Sequence, residues 1–153
     1  MKLFKLIIIF LIINFGALAI GNWLMANGPQ TNWYLSLNKA PWTPPGWVFG
    51  VAWTSIMICF SIYMANLYHI QFSQKVIILF VVQFILNVVW NFLFFNQHLI
   101  GVGLISILVL TAIVTTFLID YWNILSLKSL WIMPYFVWLC IATSLNMYIW
   151  VHN

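Results

Sequence analysis

This 153-residue chain has few residues that could perform acid–base chemistry or bind a metal. Its one acidic residue is Asp120, and its three histidines, His69, His98 and His152, lie at the ends of different apolar runs. A carboxylate pair, a catalytic triad or a metal site needs several such groups close together. We therefore expect no metal and no cofactor; axial ligation of a haem by His98 or His152 is the alternative we keep.

The remaining candidates for a functional site are aromatic rings and side-chain amides. The first group of them lies in the apolar run from 83 to 94. Gln83, Asn87 and Asn91 are spaced four apart, which places them on one broad helix face with Trp90 and Phe94. Amides in an apolar helix avoid lipid, so this face should turn inward. Gln83, Asn87, Trp90 and Phe94 are predicted pocket walls. Hydrogen bonding between helices is the alternative for the amides, chiefly for Asn91.

A second face of this kind follows Pro134, with Tyr135, Trp138, Ala142 and Leu145 at intervals of one to four residues. Pro134 removes a backbone donor and invites a kink. A bend beside two large aromatic rings, with a small alanine one turn away, makes room for a bulky flat ligand. These four residues are predicted to bind the ligand, and packing alone is the alternative for the aromatic stripe.

The run from 39 to 54 concentrates prolines, glycines and tryptophans at the entrance of a long apolar segment. Thr43 suits a helix N-cap and Pro44 the first helical position, so a helix is expected to start there. Gly46 and Gly50 have the spacing that lets a neighbouring helix approach closely in a membrane.

The tryptophans of this run differ in depth. Trp42 and Trp47 suit either a pocket or the aromatic belt at the membrane surface. Trp53 lies roughly 13 Å from the helix start, too deep for a belt residue, and a buried indole needs a partner or a ligand. Trp42, Pro44, Pro45 and Trp53 are predicted ligand contacts.

The composition excludes an ordinary soluble domain, since 65% of the residues are hydrophobic and 4% are charged. The net charge of +4 is too sparse for a nucleic-acid partner. Five apolar runs can span a bilayer as helices, roughly 3–26, 44–69, 75–96, 98–120 and 129–150. We predict an all-α integral membrane protein, a single five-helix domain over 1–153, with a lid-like loop at 27–43.

Small and polar residues in these runs predict helix contacts. Ala17 and Gly21 form another small-residue face, and Asn14 should point into the bundle rather than towards lipid. Gly101 and Gly103 are candidates for a homodimer contact.

The lysines predict the orientation. Lys2, Lys5, Lys75 and Lys128 fall on one side of a five-helix path and Lys39 on the other, which places the N-terminus in the cytoplasm. The apolar run of residues 1–26 is too long for a signal peptide, and no Arg-rich transit segment is present, which favours a bacterial cytoplasmic membrane.

These features resemble the translocator protein family, also called tryptophan-rich sensory proteins or peripheral-type benzodiazepine receptors. The resemblance rests on residues 39–54 and on Trp33-Tyr34, Gln83, Asn87, Trp90, Phe94, Phe95, Pro134-Tyr135, Trp138, Ala142-Thr143 and Leu145-Asn146. It implies a five-helix bundle that binds porphyrins such as protoporphyrin IX, steroids in some members, and isoquinoline or benzodiazepine drugs. The family's ligand contacts match Tyr34, Pro44, Trp53, Gln83, Asn87, Trp90, Trp138 and Ala142.

The resemblance also implies, for some bacterial members, light- and oxygen-dependent breakdown of protoporphyrin, for which Trp53 and Trp138 would be the catalytic residues. One departure concerns sterols: Leu145 and Tyr148 begin the cholesterol motif, but no Lys or Arg follows them.

The sequence therefore suggests three functions. A receptor or sensor that binds porphyrins, including haem-like tetrapyrroles, in an aromatic intramembrane pocket ranks first. A porphyrin-degrading enzyme ranks second. A small transporter of tetrapyrroles or sterols ranks third, because the chain has no charge at mid-membrane.

Overall fold

The computed structural model describes residues 1–153 and contains only helices. In chain order they are α1 (Leu3–Met25), a 3-10 turn (Gly28–Gln30), α2 (Asn32–Ser36), α3 (Gly46–Ile70), α4 (Gln74–Asn91) with a π-helical continuation (Phe92–Asn96), α5 (Ile100–Asp120), α6 (Trp122–Leu125), a 3-10 segment (Ser126–Ile132) and α7 (Met133–His152). Five of them, α1, α3, α4, α5 and α7, are long and apolar enough to cross a membrane. The predicted all-α membrane fold with five transmembrane helices is confirmed.

The helices pack as a bundle in which α1 lies against α3 and α4, α5 against α4 and α7, and α3 against α7. Asn14 of α1 donates a 2.8 Å hydrogen bond to Ser61 Oγ of α3, which confirms that this amide points inward. Gly21 lets α1 approach α4, since a Cβ there would lie 2.8 Å from Asn91 Nδ2. The close contact predicted at Gly21 is therefore confirmed.

The start of α3 differs from the expected one: the helix begins at Gly46, and Thr43 does not cap it. A residue that precedes proline is disfavoured in the helical conformation, so Pro44 cannot begin a helix in front of Pro45. Pro45 itself is extended, with ψ at 151°. Thr43 Oγ1 instead donates to the Ala40 carbonyl at 2.7 Å and closes a turn in the loop.

The start of α7 also corrects an expectation. The chain forms a 3-10 segment up to Ile132 and becomes α-helical at Met133, which places Pro134 in the first turn of α7. Proline is tolerated in the first turn of an α-helix, and Pro134 lies where the 3-10 segment changes to α-helix. The kink expected at this residue stays a prediction.

The loop at 27–43 contains its own short helices. Thr31 caps α2 by accepting a hydrogen bond from the Tyr34 amide at 3.4 Å, while its hydroxyl donates to the Gly28 carbonyl at 2.6 Å. Gly28 allows the loop to lie against Phe95, because a Cβ at that position would be 2.4 Å from the Phe95 Cβ.

Gly101 and Gly103 make contacts within the chain. A Cβ at Gly101 would lie 2.6 Å from the Trp150 ring, and a Cβ at Gly103 would lie 3.2 Å from the Phe94 Cβ. Aromatic side chains of the same bundle therefore pack directly against these two glycines. The expected homodimer loses this support and stays a prediction.

Candidate ligand-binding site

A cavity of about 510 Å³ opens between α1, α3, α4 and the loop that contains α2. Its volume is in the range of small-molecule pockets. Its walls carry aromatic rings and a few polar groups. They consist of Ala17, Leu18, Asn22, Met25, Pro29, Tyr34, Leu35, Lys39, Thr43, Pro44, Gly46, Phe49, Gly50, Trp53, Thr54, Asn87, Trp90, Asn91 and Phe95.

Helix α3 presents one face to this cavity, with Gly46, Phe49, Gly50, Trp53 and Thr54 at helical spacing. A Cβ added at Gly46 or Gly50 would meet no atom within 4 Å. The close helix approach expected at these two glycines is therefore wrong. Their missing side chains widen the cavity in front of Phe49 and Trp53.

Helix α4 forms the facing wall. Asn91 Nδ2 donates to the Asn87 carbonyl of its own helix at 3.0 Å, so the alternative of an interhelical hydrogen bond is wrong for this amide. The Trp90 ring stacks on Phe94, with centroids 5.7 Å apart and 15° between the planes. Phe95, on the π-helical turn, meets Trp90 edge to face at 5.7 Å. Trp90 and Phe95 thus form an aromatic surface along one side of the cavity.

The loop closes the cavity at the end of the bundle where α1 ends and α3 begins. The half-buried Tyr34 ring lies 5.4 Å from Phe95, and burial raises the pKa of its hydroxyl above the ordinary value for tyrosine. Beside it, Trp33 stacks on His98 at 4.0 Å. Aromatic contacts thus attach α2 to the end of α4.

A smaller cavity of about 30 Å³ brings α7 into the site. Its walls are Tyr34, Thr43, Phe49, Trp53, Trp90, Phe94, Phe95, Trp138, Ala142, Leu145, Asn146 and Ile149, six of which also line the large cavity. Trp53 and Trp138 share this wall, as expected for two helix faces that converge.

Three buried polar atoms in the wall residues of the small cavity have no partner in the chain: Trp90 Nε1, Trp138 Nε1 and Asn146 Oδ1. Buried polar groups are almost always hydrogen-bonded, because leaving one unpaired costs free energy. Two indole donors and one amide acceptor therefore remain available to a water molecule or a ligand. The cavity is large enough for one water.

The TspO/MBR family model matches residues 8–151 of the chain. The chain belongs to the TspO/MBR family. It is 31% identical over 125 residues to Protein CrtK of Rhodobacter capsulatus, covering 79% of this chain and 78% of that protein. It is 33% identical to Tryptophan-rich protein TspO of Archaeoglobus fulgidus over 87% of each chain. Its identity to the human Translocator protein is 26%, over 83% of this chain and 78% of that protein. The family resemblance expected from the sequence is confirmed.

Most of the predicted site residues of this TspO/MBR chain meet at the two cavities. Those on a cavity wall are Tyr34, Pro44, Trp53, Asn87, Trp90, Phe94, Trp138, Ala142 and Leu145. Four lie outside both walls. Trp42 is 54% exposed and donates to Ser144 Oγ at 3.1 Å, which favours the aromatic-belt interpretation, and Pro45 precedes the first turn of α3.

The other two, Gln83 and Tyr135, lie beneath the cavities in the core, where the Tyr135 hydroxyl donates to Gln83 Oε1 at 3.0 Å. The Tyr135 ring also contacts Trp53 edge to face at 6.1 Å. These two residues therefore position a wall residue and do not form the wall themselves.

The α1 side of the TspO/MBR site was not predicted. Ala17, Leu18, Asn22 and Met25 line the large cavity, although α1 was expected to contribute only helix packing. Asn22, an amide in an apolar helix, was the available signal. Pro29, Leu35, Lys39, Phe49 and Thr54, from the loop and α3, were not predicted as site residues either.

The histidines lie elsewhere. His98 stacks on Trp33, and His152 stacks on Tyr148 at 3.8 Å. Neither residue lines either cavity, so neither offers an axial ligand to a porphyrin held there.

Proposed function

We propose that this TspO/MBR protein is a membrane receptor that binds porphyrins, and related flat apolar molecules, in the large cavity. The observation that supports the proposal is a cavity of about 510 Å³ whose long walls are formed by Trp53 and Phe49 on one side and by Trp90 and Phe95 on the other. Aromatic faces favour stacked or edge-to-face contact with another π system. A large planar ring system is the ligand that makes most use of such walls.

The depth of the cavity supports the same ligand class. On α3 the wall extends from Gly46 to Thr54, a rise of roughly 12 Å at 1.5 Å per residue. Asn87 and Thr54 provide hydrogen-bonding groups at the deep end. A porphyrin has an extended apolar body with polar groups at its edges, which suits aromatic walls that carry polar groups at both ends.

The test is a titration of the purified protein with protoporphyrin IX in the dark, followed by quenching of tryptophan fluorescence. Gly50→Val places a side chain in the cavity, and Gly16→Val is its matched control because Gly16 also has open space around it but lines neither cavity. Gly50→Val should weaken binding by roughly tenfold or more, the order expected for overfilling a packed site. Equal affinity of the two variants would place the porphyrin elsewhere, and no binding to the wild type would reject the proposal.

Light-driven porphyrin breakdown is a second candidate because Trp53 and Trp138 line the same small cavity. Dioxygen would be the oxidant, and both residues carry an oxidisable indole. Trp53→Phe and Trp138→Phe keep an aromatic face and remove the indole. Under light and air, at equal porphyrin occupancy, the wild type should bleach porphyrin faster than the double variant. Equal bleaching rates would leave a binding protein without turnover.

We also propose that the N-terminus lies in the cytoplasm of a bacterial cell and that the loop at 27–43 lies outside. Four of the five lysines support this orientation.

A further inference from the structure

We propose that Lys39 makes the cavity selective for ligands that carry a carboxylate. The inference rests on the proposed function and deepens it by naming the chemical class of the ligand. Lys39 is the only charged residue in the cavity walls, and it lies in the loop at the end where α3 begins.

The Lys39 ammonium is held in place by its surroundings. Its Nζ donates to the Tyr34 carbonyl at 2.9 Å and to the Leu35 carbonyl at 3.4 Å, and it lies 4.8 Å from the centre of the Tyr34 ring. An ammonium group has three donors, so these two carbonyls leave one for a ligand. Because the side chain is already ordered, a bound anion would lose little affinity to immobilising it.

No side-chain carboxylate of the chain neutralises this charge. Its one acidic residue, Asp120, is paired with Lys75, with 2.6 Å between Oδ2 and Nζ. Lys75 begins α4 and Asp120 ends α5, so the pair lies at the opposite end of the bundle from the loop. Lys39 therefore lies in the cavity wall without a side-chain counter-ion, and a carboxylate on the ligand would supply one.

The arrangement specifies where each part of the ligand lies. The flat apolar body would stack between Trp53 and Trp90, and its carboxylate would reach Lys39 at the loop end, outside the hydrocarbon region where a charge is most costly. A neutral steroid or ester would leave the ammonium without an anionic partner. The cavity should therefore prefer a carboxylic acid to its neutral ester.

A purely structural role for Lys39 gives a different expectation. Its two carbonyl partners lie at the end of α2, so the ammonium also caps that short helix. If capping were its whole role, removing the charge would disturb the loop and weaken acid and ester equally. Selectivity between the two ligands separates the two roles.

The experiment measures the Kd of protoporphyrin IX and of its dimethyl ester for the full-length wild type, Lys39→Met, Lys39→Arg and Lys128→Met in the same detergent. Lys128→Met is the control for net charge, because Lys128 is exposed and lines neither cavity. The ratio of the two Kd values is compared between variants, which cancels any difference in how acid and ester partition into detergent.

The acid preference of the wild type should exceed that of Lys39→Met by roughly tenfold, the order expected for a charge-assisted hydrogen bond. Lys39→Arg and Lys128→Met should keep the wild-type ratio, and added salt should reduce it. An unchanged ratio in Lys39→Met, or an equal loss for acid and ester, would overturn the inference while leaving the receptor proposal intact. If neither porphyrin binds the wild type, the receptor proposal fails and the inference fails with it.

Discussion

The Tyr135 hydroxyl of α7 donates a 3.0 Å hydrogen bond to Gln83 Oε1 of α4, and both residues are almost completely buried. This bond joins two helices beneath the proposed ligand site. Through its ring, Tyr135 also contacts Trp53 and Phe60 edge to face, at 6.1 and 5.1 Å between centroids. The pair therefore connects the stability of the bundle to the position of a cavity wall.

Tyr135→Phe should destabilise the folded bundle by about 0.6–2 kcal/mol, because it leaves the Gln83 carbonyl oxygen buried without its donor. The double variant Tyr135→Phe with Gln83→Leu should recover part of that loss, since replacing both partners by apolar groups removes the unpaired atom. Unfolding in a detergent titration measures both. If the double variant were less stable than Tyr135→Phe, the hydrogen bond would not be the cause of the loss.

Ala142→Leu should fill the small cavity beside Trp138 and weaken porphyrin binding while the bundle stays folded. Ala142 is 5% exposed and lines this cavity, so a larger side chain must occupy space next to Trp90 and Trp138. Ala19→Leu is the control, because Ala19 is exposed on α1 and lines neither cavity. Binding titrations with protoporphyrin IX compare the two. Wild-type affinity in a folded Ala142→Leu protein would show that the ligand does not reach α7.

Gly28→Ala should loosen the loop from the bundle. The added Cβ would lie 2.4 Å from the Phe95 Cβ, which is close to the backbone and cannot move aside alone. Overpacking of this kind costs about 1–3 kcal/mol. Gly16→Ala is the matched control, since its Cβ meets nothing within 4 Å and alanine is the better helix former. Gly28→Ala should lower the Tm and speed protease cleavage between 27 and 43, whereas cleavage as slow as in Gly16→Ala would contradict the contact.

The proposed orientation predicts which cysteines an impermeant thiol reagent reaches in intact cells. Asn32→Cys, in the loop, should react, and Gln74→Cys, at the opposite end of the bundle, should react only after the cells are opened. Both positions are exposed. The native Cys59 and Cys140 are replaced by serine beforehand, because both are free thiols. The reverse labelling pattern would invert the orientation.

The membrane class and the five spans follow from the sequence alone, because long apolar runs can satisfy their backbone polar groups in lipid only as helices. The sequence also predicted the inward direction of Asn14 and the shared wall of Trp53 and Trp138, since amides and deep indoles are poorly tolerated by lipid. These features depend on composition and helical spacing within one segment.

Which face of a helix lines a cavity and which meets a neighbouring helix depends on how the whole bundle packs. Gly46 and Gly50 have the same spacing as Ala17 and Gly21, yet the first pair widens a cavity and Gly21 admits a neighbouring helix. A missing side chain permits either outcome, and only the placement of the other helices selects one. The same reason moved Gln83 and Tyr135 from the expected wall into the core. The packing of the bundle also makes α1 part of the cavity wall. Contacts between segments that are distant in sequence are not specified by the residue spacing within either segment.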